Sequence, residues 1–222
     1  MKKIKSPSDL VERINKLGFM PLLKVGVPGW SAEESVDDDF GYSKSPDGGW
    51  DWPLWKWKGP VIKESGCAYG RFLLTKAFFV SAEWWPDLFN YRRSVYPLPE
   101  PDSVEDIILM TLRENGSMIT RELRKACGFE GAKMRGKFDS YLLRLERAGR
   151  IVTEDFIYPR DKHGNEYTWG WALLTTPERL FGVDACHVDR TPEESLNRMV
   201  EYFLQKLYPN STEEIIRDIL KK

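Results

Sequence analysis

Apolar residues recur at helical spacing in three consecutive stretches of the chain, at residues 102–115, 120–128 and 132–148. An Asn-Gly pair stops the first stretch and a glycine stops the second. Thr120 is expected to cap the second helix with its hydroxyl. The pattern therefore predicts three short helices in succession.

The third predicted helix has an apolar face and a divided polar surface. At 100° per residue, one face collects the side chains expected to pack inward: Met134, Phe138, Tyr141, Leu142, Leu145 and Ala148. One flank, called the basic flank below, collects Lys133, Lys137, Ser140, Arg144 and Arg147 together with Gly136. Asp139 and Glu146 fall on the other flank. A solvated helix usually mixes its signs, so this asymmetry is typical of a helix that faces phosphates.

After the third helix the apolar pattern changes to alternation. It predicts strands at 150–158 and 166–175, joined by a turn at 160–165. That turn contains Arg160, Lys162 and His163. Three short helices followed by a two-stranded ribbon are the arrangement of a winged helix-turn-helix, with the ribbon as the wing. We expect this unit to bind double-stranded DNA, and the alternative is a winged helix used for protein contact with a merely solvated flank.

The first 96 residues contain seven of the nine Trp, so an aromatic core of their own is expected. A first helix is predicted at 6–18, and a β-hairpin is predicted to turn near Thr75. Ser81 is expected to cap a short helix after the hairpin. The run 50–57 is predicted to be extended, because its tryptophans alternate in two pairs about a central Pro-Leu.

Tryptophan pairs on an extended segment either fill a core or form stacking surfaces in a cleft. Core packing is the more common outcome, with one or two rings left to line a pocket. The candidate pocket residues are Trp50, Trp52, Trp55, Trp57, Trp84 and Trp85.

Proline at every second position of 97–101 predicts a stiff, extended linker. The predicted organisation is therefore an aromatic-rich N-terminal domain (1–96), this linker, a winged-helix domain (102–180) and C-terminal helices (181–222). Capping boxes begin the C-terminal helices, expected at 192–207 and 212–221, which would brace the two domains. The fold class is α+β.

The 222 residues carry a formal net charge of −1, yet residues 113–150 hold ten Lys or Arg against five acids. No signal peptide and no membrane-spanning run is evident, so a cytoplasmic protein is expected. Three widely separated Cys argue against a disulfide framework.

Common catalytic and cofactor motifs are absent from the sequence. The sequence has only two His and no CxxC pair, so it predicts no metal site. It also has no glycine-rich phosphate loop, so it predicts no nucleotide cofactor. Carboxylates beside aromatics remain. Excision of a base needs aromatic surfaces and an anionic group, so Glu83 and Asp87 are the candidate catalytic residues. A helix-terminal acid and a surface acid are the more common roles of such a pair.

The run 50–59, the segments Glu83-Trp-Trp-Pro-Asp87 and Asn90-Tyr-Arg-Arg93, and the predicted winged helix together resemble the AlkZ-related proteins. These are a branch of the bacterial winged-helix family that includes the AlkZ and YcaQ alkylpurine DNA glycosylases. The resemblance implies DNA binding and a link to repair of alkylated or crosslinked DNA. The catalytic motif of those glycosylases, Gln, one residue, then Gln or Asp, is absent, because the one glutamine, Gln205, is followed by Lys-Leu.

The leading hypothesis is thus a DNA-binding protein of repair or lesion recognition that lacks the glycosylase motif. An active glycosylase, a non-catalytic transcriptional regulator and a protein-interaction module are the alternatives. The acidic loop at 33–39 and the exposed aromatics motivate the last of these.

Overall fold

The structure, a computed structural model, describes residues 3–44, 50–164, 166 and 169–221. The helices of these residues are α1 (Pro7–Leu17), α2 (Ala32–Ser35), α3 (Pro53–Ser65), α4 (Trp85–Val95), α5 (Val104–Asn115), α6 (Thr120–Ala126), α7 (Arg135–Arg147), α8 (Pro177–Phe181), α9 (Pro192–Tyr202) and α10 (Glu213–Lys221). Short 3₁₀ segments cover Asp38–Phe40, Ala132–Met134 and Asp184–Cys186, and a π-helical turn, Phe203–Leu207, continues α9.

The strands are β1 (Phe19–Pro21), β2 (Ser43–Lys44), β3 (Trp50–Asp51), β4 (Ala68–Leu73), β5 (Lys76–Val80), β6 (Met118–Ile119), β7 (Val152–Ile157) and β8 (Trp171–Thr175). They form three small antiparallel sheets with the orders β1-β5-β4, β2-β3 and β6-β8-β7. The protein is therefore a mixed α and β structure, in agreement with the α+β class.

Local end signals place several elements where the sequence predicts them. Ser6 caps α1 by accepting a hydrogen bond from the backbone N–H of Asp9 at 3.1 Å. Gly18 ends the helix with φ +69°, and a Cβ at this position would lie 2.4 Å from the ring of Trp84. The hairpin of β4 and β5 turns at Leu74 and Thr75, as predicted. The boundaries of α5 and α7 also agree with the prediction to within a few residues.

The extended conformation predicted for residues 50–57 is wrong beyond β3. The chain becomes helical at Pro53, which suits a first helical position because its missing N–H is not needed there. The residues that α3 buries include Leu54, Lys58 and Val61, which lie at helical spacing. A lysine at the centre of this stripe disguises its helical period in the sequence.

Two predicted helix caps are also wrong. Helix α4 begins at Trp85 rather than directly after Ser81, and Ser81 contributes its carbonyl, which accepts from the N–H of Trp84 and Trp85. Ile119 occupies the cap position of α6. The hydroxyl of Thr120 donates instead to the carbonyl of Ala172 in β8, 3.1 Å away, so it ties the helix to the sheet.

The predicted wing strands are shorter in the structure, at β7 and β8. An isolated antiparallel bridge between Arg160 and Glu166 extends the ribbon towards its tip. The predicted turn and second strand also include residues 165, 167 and 168, which lie outside the described residues.

Three hydrophobic clusters form the core. The first combines the aromatic residues of β1, β4, β5 and α4 with residues of α9 and α10, so the C-terminal helices pack against the N-terminal sheet. The second lies between α1, α2, α3 and the other face of that sheet. The third joins α5, α6 and α7 to Ile151 and Leu174. Among the described residues, no helix has the length and apolar character needed to cross a membrane.

Candidate nucleic-acid interface

Helix α7 packs its apolar face inward, as the sequence predicts. Phe138, Leu142 and Leu145 are buried against α5 and α6, and Tyr141 and Met134 pack at the edge of the same cluster. This packing fixes the rotation of the helix about its axis. It therefore determines which of the polar residues face solvent.

Part of the basic flank is exposed, whereas the rest is paired with an acid or partly buried. Lys133, Lys137 and Ser140 are exposed, and neither lysine has a carboxylate within ion-pair distance among the described residues. The side chain of Arg144 is 54% exposed, but its guanidinium pairs with Glu105 at 2.5 Å. Arg147 is only half-exposed, and its Nε is buried. The outward cationic surface of α7 is therefore narrower than the sequence indicates.

Glu146, placed by helical spacing on a polar flank, is 5% exposed. Its carboxylate accepts hydrogen bonds from Nε of Arg71 at 2.5 Å and from the backbone N–H of Arg71 at 3.3 Å. Burial raises the pKa of Glu146, and the charge of Arg71 opposes that shift. Because Arg71 lies in β4, this ion pair anchors α7 to the N-terminal sheet.

Other cations between residues 113 and 150 are exposed as well. Of the ten Lys and Arg between residues 113 and 150, Arg150 is buried and Arg147 has a buried Nε. The other eight are exposed or half-exposed, and four acids of the same segment are exposed. The eight are Arg113, Arg121, Arg124, Lys125, Lys133, Arg135, Lys137 and Arg144. The surface of this unit is thus positive although the whole chain is not.

The tip of the β7–β8 ribbon carries both signs of charge. Arg160 is 68% exposed and lies 3.8 Å from a carboxylate oxygen of Glu166, and Lys162 is exposed. The backbone N–H of His163 donates to the side chain of Asp161. The predicted cations therefore lie at the tip, with acidic neighbours that moderate their field.

Four aromatic rings form a surface cluster beside the ribbon, called the aromatic patch below: Tyr42, Trp52, Trp55 and Trp169. Trp52 and Trp55 stack with centroids 4.9 Å apart, and Trp169 meets both rings edge-on at 6.3 and 5.9 Å. Tyr42 and Trp169 are 52% and 49% exposed. The indole N–H of Trp55 donates to the carbonyl of Trp169 at 2.6 Å, which joins α3 to the ribbon.

The other candidate pocket tryptophans do not join this patch. Trp57 packs against Phe40, and Trp84 and Trp85 are 4% and 2% exposed in the first core cluster. The side chain of Trp50 lies outside the described residues. Among the candidates whose side chains the structure describes, Trp52 and Trp55 are thus the two that belong to the aromatic patch.

The two candidate catalytic acids lie in an ion-pair cluster between α4 and α9. Asp87 is fully buried and is held by Arg190, at 2.8 and 3.2 Å, and by Arg198. Glu83 is 63% exposed and pairs with Arg198 at 3.1 Å. Both oxygens of Asp87 are engaged by arginines, which is the environment of a structural carboxylate.

The sequence analysis missed several residues that define these surfaces. Trp169 and Tyr42 complete the aromatic patch, and Arg190 and Arg198 hold Asp87. Their partners are distant in sequence, so periodicity carries no signal for them. Among the described residues, no group of three or more His, Cys, Asp or Glu side chains is arranged to hold a metal ion.

The fold and these surfaces define a mixed α and β protein in which a helical, cation-bearing unit is joined to an aromatic-rich N-terminal region. Residues 4–221 match the family model described as AlkZ related, so the chain belongs to the AlkZ-related family. In the comparisons with curated proteins and with solved structures, no match was found.

Proposed function

We propose that this protein binds double-stranded DNA through a winged helix-turn-helix formed by residues 104–175. The order of elements supports this fold, because α5, β6, α6, α7, β7 and β8 follow one another and β6 pairs with β8, the last strand. In this arrangement α7 is the recognition helix and the β7–β8 ribbon is the wing.

The observation that carries the proposal is the exposure of Lys137, on α7, and of Lys133, in the 3₁₀ segment that leads into it, both outside the buried face of the helix. Phosphate contacts need cations that are not already paired with acids, because such cations displace the counterions condensed on DNA, and these two lysines meet that requirement. Ser140 lies on the same side and supplies a hydroxyl. Arg144 contributes less because Glu105 already pairs with it, and Arg147 offers a smaller exposed surface because its Nε is buried.

Membership in the AlkZ-related family supports a biological setting in the recognition of damaged DNA. We further propose that the protein acts in the cytoplasm. The environment of Asp87 favours no catalytic role, since two arginines occupy its oxygens. We therefore propose that the protein binds DNA without excising a base. Its role would be to recognise lesions, and other enzymes would cleave the glycosidic bonds.

The double variant Lys133→Ala with Lys137→Ala is expected to bind duplex DNA about tenfold more weakly, because each lost phosphate contact removes counterion release. The slope of log affinity against log salt should fall by about two. Fluorescence anisotropy across a salt series measures both quantities.

The matched control is Lys16→Ala with Lys206→Ala, which removes the same charge from two exposed lysines elsewhere in the chain. Its affinity and slope should remain close to those of the unmodified protein. If the Lys133 and Lys137 variant behaves like this control, α7 does not face DNA and the proposal fails.

The aromatic patch offers a second surface, suited to unpaired bases beside the wing. Trp169→Ala should weaken binding to a duplex with an internal single-stranded gap about tenfold, because stacking of a base on an aromatic ring stabilises a complex by about 1–3 kcal/mol. Binding to the fully paired duplex should change little.

Val183→Ala, at a 71% exposed apolar residue, is the control for Trp169→Ala. Equal losses on both DNAs would show that the ring has no preference for unpaired bases.

A further inference from the structure

A cavity of about 350 Å³ lies where the Pro-rich linker passes over the start of α5 and the end of α7. Its walls are mainly apolar and are formed by Tyr96, Pro97, Leu98, Pro99, Leu145 and Ala148. Volume and lining both fall in the range of small-molecule sites. Its polar lining consists of Ser103, Glu100, Glu105, Arg144 and Arg150.

Arg150 is the unusual member of this lining, because it is 4% exposed and poorly hydrogen-bonded. One of its terminal nitrogens donates to the carbonyl of Tyr96 at 3.1 Å, and its Nε is buried without a partner in the described part of the chain. A guanidinium has five N–H donors, so most of its capacity is unused. No carboxylate among the described residues lies within 4 Å of it.

The electrostatic surroundings of Arg150 leave its charge uncompensated. Burial, together with the charges of Arg93 and Arg113, lowers the pKa of Arg150 to about 10, and the charge of Glu178 opposes this shift. Glu178 itself pairs with Arg93 at 2.6 Å. Arg150 therefore remains a cation at neutral pH, in a place where an anion would be stabilised strongly.

The charges at the mouth of the cavity limit which anions fit. Arg144 is compensated by Glu105, and Glu100 is exposed at the rim. One buried cation behind a partly acidic rim favours a single negative charge over a dianion such as phosphate. The apolar walls require that the rest of the ligand be apolar as well.

We propose that this cavity binds a small organic monocarboxylate with an aromatic or branched apolar body, whose carboxylate pairs with Arg150. A planar carboxylate can accept two parallel hydrogen bonds from the two terminal nitrogens of a guanidinium. In Arg150 one of these nitrogens donates to Tyr96, and no hydrogen bond joins the other to the described residues, whereas Nε is enclosed by the protein. The ligand would contact the linker, α5 and α7 together. The site is independent of the DNA-binding proposal.

The test uses the full-length protein, with benzoate, phenylacetate and 4-methylpentanoate as probes at millimolar concentration. Isothermal titration and thermal unfolding measure binding. At least one probe should bind and raise the unfolding temperature. The affinity of its uncharged amide should be lower by a factor of about ten or more. Acetate, which lacks the apolar body, and inorganic phosphate should have little effect.

Arg150→Met keeps an apolar stem and should lose the response to the carboxylate, with affinity reduced about tenfold or more. Arg150→Lys keeps the charge but not the planar fork, so it should give an intermediate affinity. Arg217→Met, on α10, is the control and should respond like the unmodified protein.

Three outcomes would overturn the proposal. The first is that none of the three carboxylates binds. The second is that the Arg150→Met protein binds them with unchanged affinity. The third is that phosphate and acetate stabilise the protein as much as the apolar carboxylates do. The last result would indicate a general effect of anions. Each of these results can be distinguished from loss of DNA binding, because no DNA is present in the experiment.

Discussion

Replacing Arg92 by methionine is expected to destabilise the protein by about 4 kcal/mol, because three buried carbonyl groups would lose their donor. The guanidinium, in α4, is 1% exposed and donates to the carbonyls of Arg147 and Leu220, each at 2.7 Å, and to that of Phe72. Arg147 and Leu220 lie in the last turns of α7 and α10, where carbonyls have no partner within the helix. Arg92 therefore joins two helix ends to β4.

The charge of Arg92 is stabilised without a carboxylate. The negative ends of two helix dipoles point towards it, and its pKa, lowered by burial to about 10, keeps it charged at neutral pH.

Urea unfolding measures the loss of stability expected for Arg92→Met. Arg92→Lys should recover part of it, because an ammonium can satisfy some of the carbonyls but lacks the planar fork. Arg217→Met, at an arginine with surface partners only, should cost less than about 1 kcal/mol. A change for Arg92→Met as small as that of the control would contradict this account.

The elements that the sequence predicts well are those with local signals. Helix α1 has its cap at Ser6, a proline at its first position and a glycine, Gly18, directly after its end. The inward face of α7 follows from helical spacing alone. These signals depend on neighbours in the chain, so one sequence is enough to find them.

The contacts that the sequence does not predict join residues far apart in the chain. Arg71 and Glu146 are separated by 75 residues, and Arg92 and Leu220 by 128. Helical spacing assigned Glu146 to a polar flank, because periodicity cannot show that Arg71, in another element, pairs with it. The same limit applies to Asp87, whose partners Arg190 and Arg198 lie 103 and 111 residues further along the chain.

Helix α3 shows a different limit, which concerns residue type. A lysine at position 58 occupies a fully buried place on the apolar stripe, so a hydrophobicity pattern reads it as a break. Gly59, the next residue, allows α3 to approach β7 so closely that a Cβ there would lie 2.2 Å from a side-chain oxygen of Asp155. The sequence shows neither the burial of this lysine nor that contact.

Lys58→Met should stabilise the protein on the order of 4 kcal/mol at neutral pH, since an apolar side chain of similar length would replace a buried amine. Lys58 is 1% exposed, and its Nζ lies 3.2 and 3.7 Å from the ring centroids of Trp55 and Phe156. Burial lowers the pKa of Lys58 to about 6, so at neutral pH the side chain is mainly an uncharged amine held between the two rings.

The effect depends on pH in a defined direction. Because the folded pKa of Lys58 is depressed, the unfolded chain binds one more proton between about pH 6 and the ordinary lysine pKa of 10.5. The stability of the unmodified protein therefore rises with pH across this window through Lys58, and the advantage of Lys58→Met should shrink as the pH rises. Urea unfolding of both proteins near pH 6 and near pH 9 measures this difference directly. Lys56→Met, at a 59% exposed lysine of the same helix, should show little effect at either pH. A destabilised Lys58→Met protein would mean instead that the buried amine contributes favourably to the fold.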